Sequence, residues 1–304
     1  MSKKYLIIGK NGQVGSNLVH LLGNNAISYS HSDCNFKSLM QITNLLKETN
    51  IKAIFNACAY TNVDAAEKEY NEAIAANCEI PDTLAKYCKE KDIPLVHYST
   101  DYVYSGDGTA PNKEEDTPSP LNKYGQSKLE GEKRIIASGC KYLIFRTSWV
   151  YDRHGKNFLT TMLRLAKERE ELPIVSDQIG TPTYALDLAE KSIEAFENAL
   201  KKDSFPSGIY NLCNSGETNW HEFAENIFDN AKKHGIALKI KGVKKITTCE
   251  YPTPAKRPLN SRLDCSKAKS VLNTQMPDWK DGLEKCMEKL IEDTNNTDKR
   301  PASC

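Results

Sequence analysis

The sequence predicts an α/β fold, a doubly wound parallel sheet of the Rossmann type with a smaller α+β substrate-binding region. Three observations predict it. Short runs of Ile, Val and Leu alternate with helical patterns over the first 150 residues, as βαβ units with right-handed crossovers do. The runs show little in–out alternation, which suits strands covered on both faces. The first run leads straight into Gly9-Lys10-Asn11-Gly12-Gln13-Val14-Gly15, a glycine-rich turn that opens a helix.

In chain order, strands are expected at residues 5–8, 26–30, 53–56, 95–99 and 142–146. Helices are expected at 13–22, 39–49, 63–91 (interrupted) and 123–137. After Trp149 the pattern loosens. A helix at 157–169 carries apolar Phe158, Met162 and Leu165, and a short apolar run at 172–175 follows. A helix at 184–200 and a strand at 208–212 come next. The helix at 219–234 has Thr218 or Asn219 as its cap. Three prolines within 251–258 require an irregular loop, and a last helix covers 281–292. This divides the chain into a dinucleotide-binding domain, 1–150 joined by about 184–213, and a substrate-binding region, 151–183 and 214–293. Residues 294–304 read as a polar, disordered tail.

Composition excludes several classes. The 304 residues carry a net charge of +1 and no basic block of the kind that tracks a phosphate backbone, so nucleic acid is not the expected partner. No apolar run approaches the roughly 20 residues that span a bilayer, so no membrane association is expected. Residues 5–8 are too short for a signal-peptide core, and a cytoplasmic location is expected. The ten cysteines are scattered with no Cys-x-x-Cys. Cys58, Cys78, Cys88 and Cys213 sit in apolar segments and read as small hydrophobes in a reducing compartment. The six histidines make no metal-ligand spacing, so no metal is expected.

The glycine-rich turn points to a dinucleotide. Gly9, Gly12 and Gly15 allow a tight turn and a close backbone approach, and Asn11, Gln13 and Val14 lie along it. The helix N-terminus then offers free N–H groups and partial positive charge to a pyrophosphate. The spacing is Gly-x-x-Gly-x-x-Gly rather than the usual Gly-x-Gly-x-x-Gly. An acidic residue ending the second strand would favour NAD. Tyr29-Ser30-His31-Ser32 stands there, with no carboxylate until Asp33. NADPH is therefore the expected cofactor, with NADH possible.

The chemistry is carried by Ser99-Thr100-Asp101-Tyr102 and Tyr124-Gly125-Gln126-Ser127-Lys128. A Tyr and a Lys four apart share a helix face. An ammonium beside a phenol lowers the phenol's pKa from its usual value of about 10, which gives a proton donor and acceptor usable near neutrality. A hydroxyl at the end of a buried strand can hold a substrate oxygen against that phenol.

Together with Asn56-Ala57-Cys58-Ala59, these motifs resemble the extended short-chain dehydrogenase/reductases. The strings Ala59-Tyr60-Thr61-Asn62-Val63-Asp64-Ala65-Ala66-Glu67, His97-Tyr98-Ser99-Thr100-Asp101-Tyr102-Val103-Tyr104 and Pro120-Leu121-Asn122-Lys123-Tyr124-Gly125 are similar to those of the dTDP-4-dehydrorhamnose reductase family. So are Phe145-Arg146-Thr147-Ser148-Trp149-Val150-Tyr151, Asp177-Gln178-Ile179-Gly180-Thr181-Pro182-Thr183 and Arg257-Pro258-Leu259-Asn260-Ser261-Arg262-Leu263. The resemblance implies an oxidoreductase that reduces the C4 ketone of dTDP-4-dehydro-L-rhamnose during synthesis of a cell-surface polysaccharide precursor. It implies Thr100, Tyr124 and Lys128 as the catalytic set. Tyr124 donates the proton, Lys128 tunes it and binds ribose, and Thr100 aligns the C4 oxygen. It places Gly12, Gln13 and Val14 on the cofactor diphosphate, Asn35 and Phe36 near the adenine, and Ala59, Tyr60 and Thr61 along the cofactor. Thr100, Asp101 and Trp149 would touch the sugar nucleotide.

Two departures stand out. Asn35 replaces a frequent aspartate. Asn17 stands where some members have a glutamate that helps bind magnesium at a dimer contact, which argues against a metal-bridged dimer and leaves the oligomeric state open. Arg257 and Arg262 are candidate diphosphate partners, since planar forks suit phosphate. Asp64 and Glu67 read as helix-start charges. The alternatives are a related nucleotide-sugar reductase or epimerase, or a non-catalytic dinucleotide-binding regulatory subunit of methionine adenosyltransferase. Dehydratases of the superfamily often carry Asp-Glu after the Thr, whereas Asp101-Tyr102 stands here.

Overall fold

Six parallel strands make the central sheet. The computed structural model describes residues 3–30, 32–47 and 49–298; His31 and residues 299–304 of the expected tail lie outside them. The strands are β1 (Lys4–Ile8), β2 (Ala26–Tyr29), β3 (Ile51–Asn56), β4 (Leu95–Thr100), β5 (Tyr142–Thr147), β6 (Val150–Tyr151), β7 (Glu171–Val175), β8 (Ile179–Gly180), β9 (Thr183–Tyr184), β10 (Gly208–Asn211), β11 (Thr218–Asn219) and β12 (Gly242–Ile246). The sheet order is β10-β5-β4-β3-β1-β2, with every pair parallel. The order reverses between β1 and β3, and in open α/β sheets the crevice at such a switch point takes the ligand.

The helices are α1 (Gln13–Leu22), α2 (Leu39–Leu46), α3 (Tyr70–Ile74), α4 (Ile80–Lys91), α5 (Lys123–Ser138), α6 (Phe158–Glu168), α7 (Ala185–Ala199), α8 (Trp220–Lys233), α9 (Ser266–Leu272) and α10 (Trp279–Asp298). Both faces of the sheet are apolar, which is why its strands read as continuous hydrophobic runs. Tyr5, Ile7, Phe55, Val96 and Phe145 pack with Leu188 and Phe196 of α7 on one face. Leu6, Ile8, Ile54 and Ile144 pack with Ile42, Leu84 and Ile135 on the other. Burying each such side chain contributes about 1.5–3 kcal/mol.

A second core lies outside the sheet. Tyr151, Leu159, Met162, Leu172, Tyr184, Phe223, Trp279 and Leu283 gather there, framed by α6, α8, α10 and the parallel pair β7–β12. The chain thus leaves the sheet after β5, returns for α7 and β10, and leaves again.

The expected interruption within 63–91 is real and specific. A 3-10 turn at Ala65–Glu67 and α3 are followed by a π-helical turn, Ala75–Glu79, before α4. The last helix begins two residues before its expected start and continues through Asp298. Residues 294–298 are therefore helical rather than part of an unstructured tail.

Candidate active site

The glycine turn is built by close backbone contact. Gly9 has φ +92°, and a side chain there would meet Ala57 and Cys58 backbone at 2.7–2.8 Å. A Cβ on Gly15 would sit 2.1 Å from the Gly9 carbonyl. Glycine at these two positions lets α1 start directly over the ends of β1 and β3. Helix α1 begins at Gly12 with no side-chain cap and no acidic residue in its first turn. Its opening N–H groups and dipole are thus chemically suited to a phosphate. Gln13 is tied to the second core's side of the molecule, its Oε1 accepting a hydrogen bond from Asn157 Nδ2 at 3.0 Å.

Beyond β2, the Asp33 carboxylate folds back onto the strand end. It accepts hydrogen bonds from Ser30 N (2.7 Å) and Ser30 Oγ (2.8 Å) and pairs with Lys10 Nζ at 2.9 Å. These partners hold its carboxyl down at about 2, the Ser30 amide contributing most. A shallow cavity of about 500 Å³ beside it is lined by Asp33, Asn35, Phe36 and Gln41. Asn35 is exposed. Phe36 is only 2 % exposed and packs into the core against the sheet, so the bulk of its ring is turned away from that surface.

Ala59, Tyr60 and Thr61 follow β3 at the switch point. They are held by Asn77, a fully buried residue of the π-helical turn. Asn77 Oδ1 accepts from Tyr60 N (2.9 Å), and Asn77 Nδ2 donates to Tyr60 O (3.0 Å) and to Ser127 Oγ of α5 (2.9 Å). One amide thus couples this loop to the helix bearing Tyr124 and Lys128. Sequence reading missed it; the only signal was the broken helical pattern around it.

Thr100 ends β4, and α5 lies across that end. Asn122 caps α5 by accepting from Gly125 N at 2.8 Å, while Glu67 accepts from Lys123 N at 2.9 Å. Two glycines let the helix approach. A Cβ on Gly125 would lie 2.2 Å from the Tyr102 carbonyl, and one on Gly131 would lie 2.0 Å from the Asn77 carbonyl. Thr100 Oγ1 donates to Asp101 Oδ1 at 3.1 Å and also lies within hydrogen-bonding reach of the Tyr124 phenol. The Tyr124 ring meets Tyr102 edge-on, with centroids 5.7 Å apart. Thr100, Asp101 and Tyr124 are therefore brought together.

The expected tuning of Tyr124 by Lys128 is not what this geometry produces. Burial pushes the phenol up to about 12, opposed by the Thr100 hydrogen bond and reinforced by the Asp101 carboxylate. The Lys128 amine points into the sheet instead. Its Nζ donates to the Tyr98 carbonyl at 2.6 Å and lies 3.4 Å from His97 Nε2. Burial pulls that amine down to about 8, against the influence of Glu132 and Cys58. His97 is fully buried, and burial, with Lys128 adding, holds its imidazole well below the ordinary value. Burial also pushes Asp101 up to about 6, against hydrogen bonding from Ser261 and Thr100.

Beneath Thr100 lies a buried ion pair that sequence reading did not find. Glu132 of α5 and Arg146 of β5 are each 1 % exposed. Arg146 Nη2 donates to Glu132 Oε2 at 2.6 Å and its Nε to Oε1 at 3.0 Å. Ser99 Oγ also donates to Glu132, and Tyr104 OH takes Arg146 Nη1 at 2.7 Å. The pair clamps α5 to β4 and β5 just below the reacting edge.

Trp149 lies on the far side of the crevice. Its φ of +47° is strained for a bulky residue. Its ring stacks on Trp220 at 3.7 Å, and Gly180 gives it room, since a Cβ there would come within 2.8 Å of the indole. Trp220 Nε1 donates to Gln178 Oε1 at 3.0 Å. A cleft of about 740 Å³ opens here, lined by Thr61, Asp64, Phe158, Met162, Trp220 and Arg257 among others. Asp64 stands at the start of the 3-10 turn Ala65–Glu67, as a helix-start charge, and its carboxylate also accepts from Arg257 Nη2 at 2.8 Å. Arg262 pairs with Glu217 at 2.6 Å instead of lining this cleft. Asn17 is buried and donates to Gln13 O (2.8 Å) and Asp152 Oδ2 (2.5 Å).

Comparison with known proteins places this arrangement. The family model described as RmlD substrate binding domain matches residues 3–292. A curated dTDP-4-dehydrorhamnose reductase of Shigella flexneri is 41% identical over 295 residues, which cover 95% of this chain and 98% of that protein. A dTDP-4-dehydrorhamnose reductase from Bacillus anthracis, solved in complex with NADP, superposes with a TM-score of 0.87 at 34% identity, covering 95% of this chain and 100% of that one. One from Clostridium acetobutylicum gives a TM-score of 0.87 at 32% identity, covering 95% and 99%. The chain belongs to the RmlD substrate-binding-domain family, the family of the dTDP-4-dehydrorhamnose reductases.

Proposed function

We propose that this chain reduces the C4 ketone of dTDP-4-dehydro-L-rhamnose to give dTDP-L-rhamnose, with NADPH as cofactor and NADH as a second usable donor. One observation carries the reading: Thr100, Asp101 and Tyr124 meet at the carboxyl end of β4, with Lys128 one helical turn below. That edge lies beside the switch point and near a cleft walled by the second core.

The residues present fit a dinucleotide. The uncapped start of α1 would take its pyrophosphate through Gly12, Gln13 and Val14. Ala59, Tyr60 and Thr61 would lie along it, and Asn35 with Phe36 would flank the adenine. The Asp33 carboxylate at the end of β2 is bonded by Ser30 and paired with Lys10, so it is not free to take the ribose hydroxyls as the carboxylate of an NAD site does. That supports NADPH. When bound, the reduced nicotinamide supplies the hydride.

The chain's own residues do the rest. Thr100 holds the C4 oxygen by a hydrogen bond. Tyr124 gives its proton to the developing alkoxide, and a phenol held at about 12 is fully protonated at neutral pH, the state a donor needs. Lys128 binds the nicotinamide ribose and sits one turn below that phenol. Asp101 and Trp149 border the sugar, and Arg257 faces the substrate diphosphate once Asp64 yields it. The glycine-turn half serves the cofactor and the second core serves the nucleotide sugar. No helix among the described residues is long and apolar enough to cross a membrane.

The test is a turnover assay with the purified chain, NADPH or NADH, and dTDP- or UDP-linked 4-keto-6-deoxy sugars. Stoichiometric oxidation of NADPH with appearance of dTDP-L-rhamnose is expected. Interconversion without net cofactor consumption would identify an epimerase instead, and no reaction with any keto sugar would refute the proposal.

A further inference from the structure

A sulfur pair lies beside the reacting edge and has no part in the reduction. Cys213, just past the end of β10, and Cys265, just before α9, have their Sγ atoms 3.7 Å apart. They are 52 residues apart in sequence, so the contact is made by the fold. The two segments are already fixed to each other. Asn211 Nδ2 donates to the Asp264 carbonyl at 3.1 Å and to the Asn112 carbonyl at 2.9 Å, and Asn112 bridges Leu263. The backbones on either side of the two thiols are therefore held in register.

The surroundings differ between the two. Cys213 is 2 % exposed, whereas Cys265 is partly exposed. Both belong to a small apolar cluster with Val103, Tyr104, Leu129 and Leu263. Val103 follows Asp101 by two residues and Leu129 adjoins Lys128. The hydrogen bond between the thiols favours ionisation of Cys265 and disfavours that of Cys213.

We propose that Cys213 and Cys265 form a redox-active dithiol that closes reversibly to a disulfide when the protein meets a small-molecule disulfide. The sulfurs would need to approach by only about 1.7 Å to reach bonding distance. The accessible thiol acts first. Cys265 loses its proton and its thiolate attacks one sulfur of the reagent, which forms a mixed disulfide and expels one thiolate. Cys213 then gives up its proton and attacks Cys265 Sγ, expelling the second thiolate. Two protein thiols are oxidised and one reagent disulfide is reduced to two thiols. In a compartment that keeps most thiols reduced, such a pair is a transient redox site, not a structural staple. The closed form ties the end of β10 to the 261–265 segment, whose Ser261 faces Asp101.

The experiment treats the full-length native chain with glutathione disulfide, quenches with acid, and maps peptides with and without prior reduction. The expected result is a peptide pair joined through Cys213 and Cys265, two hydrogens lighter than the reduced pair and lost on treatment with dithiothreitol. In Cys213→Ser, Cys265 should instead keep a stable glutathione adduct. In Cys265→Ser, the buried Cys213 should stay unmodified in the folded protein. Exposed Cys249 is the internal control for reagent activity. If Cys249 takes up glutathione while Cys213 and Cys265 of the native chain both remain free thiols, the proposal fails. It also fails if Cys265 of the native chain stops at the mixed disulfide.

Discussion

Asp101 is a carboxyl the fold holds against its solvation, and Asp101→Asn measures that cost. The side chain is 4 % exposed, and its Oδ2 is buried without a hydrogen-bond partner. Burial raises the group to about 6, against roughly 3.9 for a free aspartate. Between those values the folded state holds more protons than the unfolded state, so stability falls as pH rises through the window. At about 1.4 kcal/mol per pH unit, the loss comes to roughly 3 kcal/mol once the pH is well above 6. Asparagine keeps an acceptor for the Thr100 hydroxyl and does not ionise. The stability difference between Asp101→Asn and the native chain should therefore grow by about 2.5 kcal/mol between pH 4 and pH 8, in favour of the variant, since about 0.5 kcal/mol is already lost at pH 4. Urea unfolding at several pH values reads this directly. With a slope of about 3 kcal/mol/M, the variant's midpoint should gain roughly 1 M relative to the native chain over that range. A difference that stays constant with pH would show an ordinary carboxyl at Asp101 and refute the burial argument. The variant should also reduce the keto sugar more slowly if Asp101 borders the sugar as proposed.

Three further outcomes follow from the same geometry. Tyr124→Phe should lose about 10²–10⁴ in turnover while binding NADPH as the native chain does; a fluorescence titration alongside the rate assay separates the two, and native turnover would remove Tyr124 from its role. Glu132→Gln leaves the Arg146 guanidinium buried without its counter-charge, so unfolding free energy should fall by about 3–5 kcal/mol, and the double variant Glu132→Leu with Arg146→Met should recover most of it; equal denaturation midpoints for native and Glu132→Gln would argue against a buried pair. Gly131→Ala places a methyl 2.0 Å from the Asn77 carbonyl and should destabilise by about 1–3 kcal/mol, with weaker NADPH binding because Asn77 also holds the 59–61 loop; unchanged stability and cofactor affinity would refute that coupling.

The first half of the fold was legible because each sheet strand is an uninterrupted apolar run and each crossover a long amphipathic one. The glycine turn, Thr100 at a strand end, and Tyr124 with Lys128 on one helix were legible for the same local reason. What escaped was made by distance in sequence. Strands β6, β8, β9 and β11 have two residues each, too few for any periodicity, and β12 exists only because it pairs with β7. The Glu132–Arg146 clamp, the Trp149–Trp220 stack and the Asn17–Asp152 contact join positions whose spacing carries no signal. Phe36 packs into the core and also lines the cavity beside Asn35, a double role that no local pattern shows. The direction of the Tyr124 shift was misread because a neighbouring lysine is visible in sequence and burial is not.

That misreading has a structural cause within β4 itself. Asn56 Oδ1 accepts the Cys58 amide at 3.2 Å, so its Nδ2 is the group facing His97 Nδ1 at 3.1 Å. The imidazole must accept there, which puts its single proton on Nε2 and toward the Lys128 amine. Two donors then face each other across 3.4 Å, and a charged lysine gains nothing from that side. Its one short bond is to the Tyr98 carbonyl, which draws the amine along the strand and away from the phenol. At about 8 that amine is still mostly charged at neutral pH, so the column of Asn56, His97 and Lys128 beneath the edge where Thr100 meets Tyr124 carries a positive charge. That charge is directed at the Tyr98 carbonyl, and burial outweighs it at the phenol, which stays protonated at neutral pH.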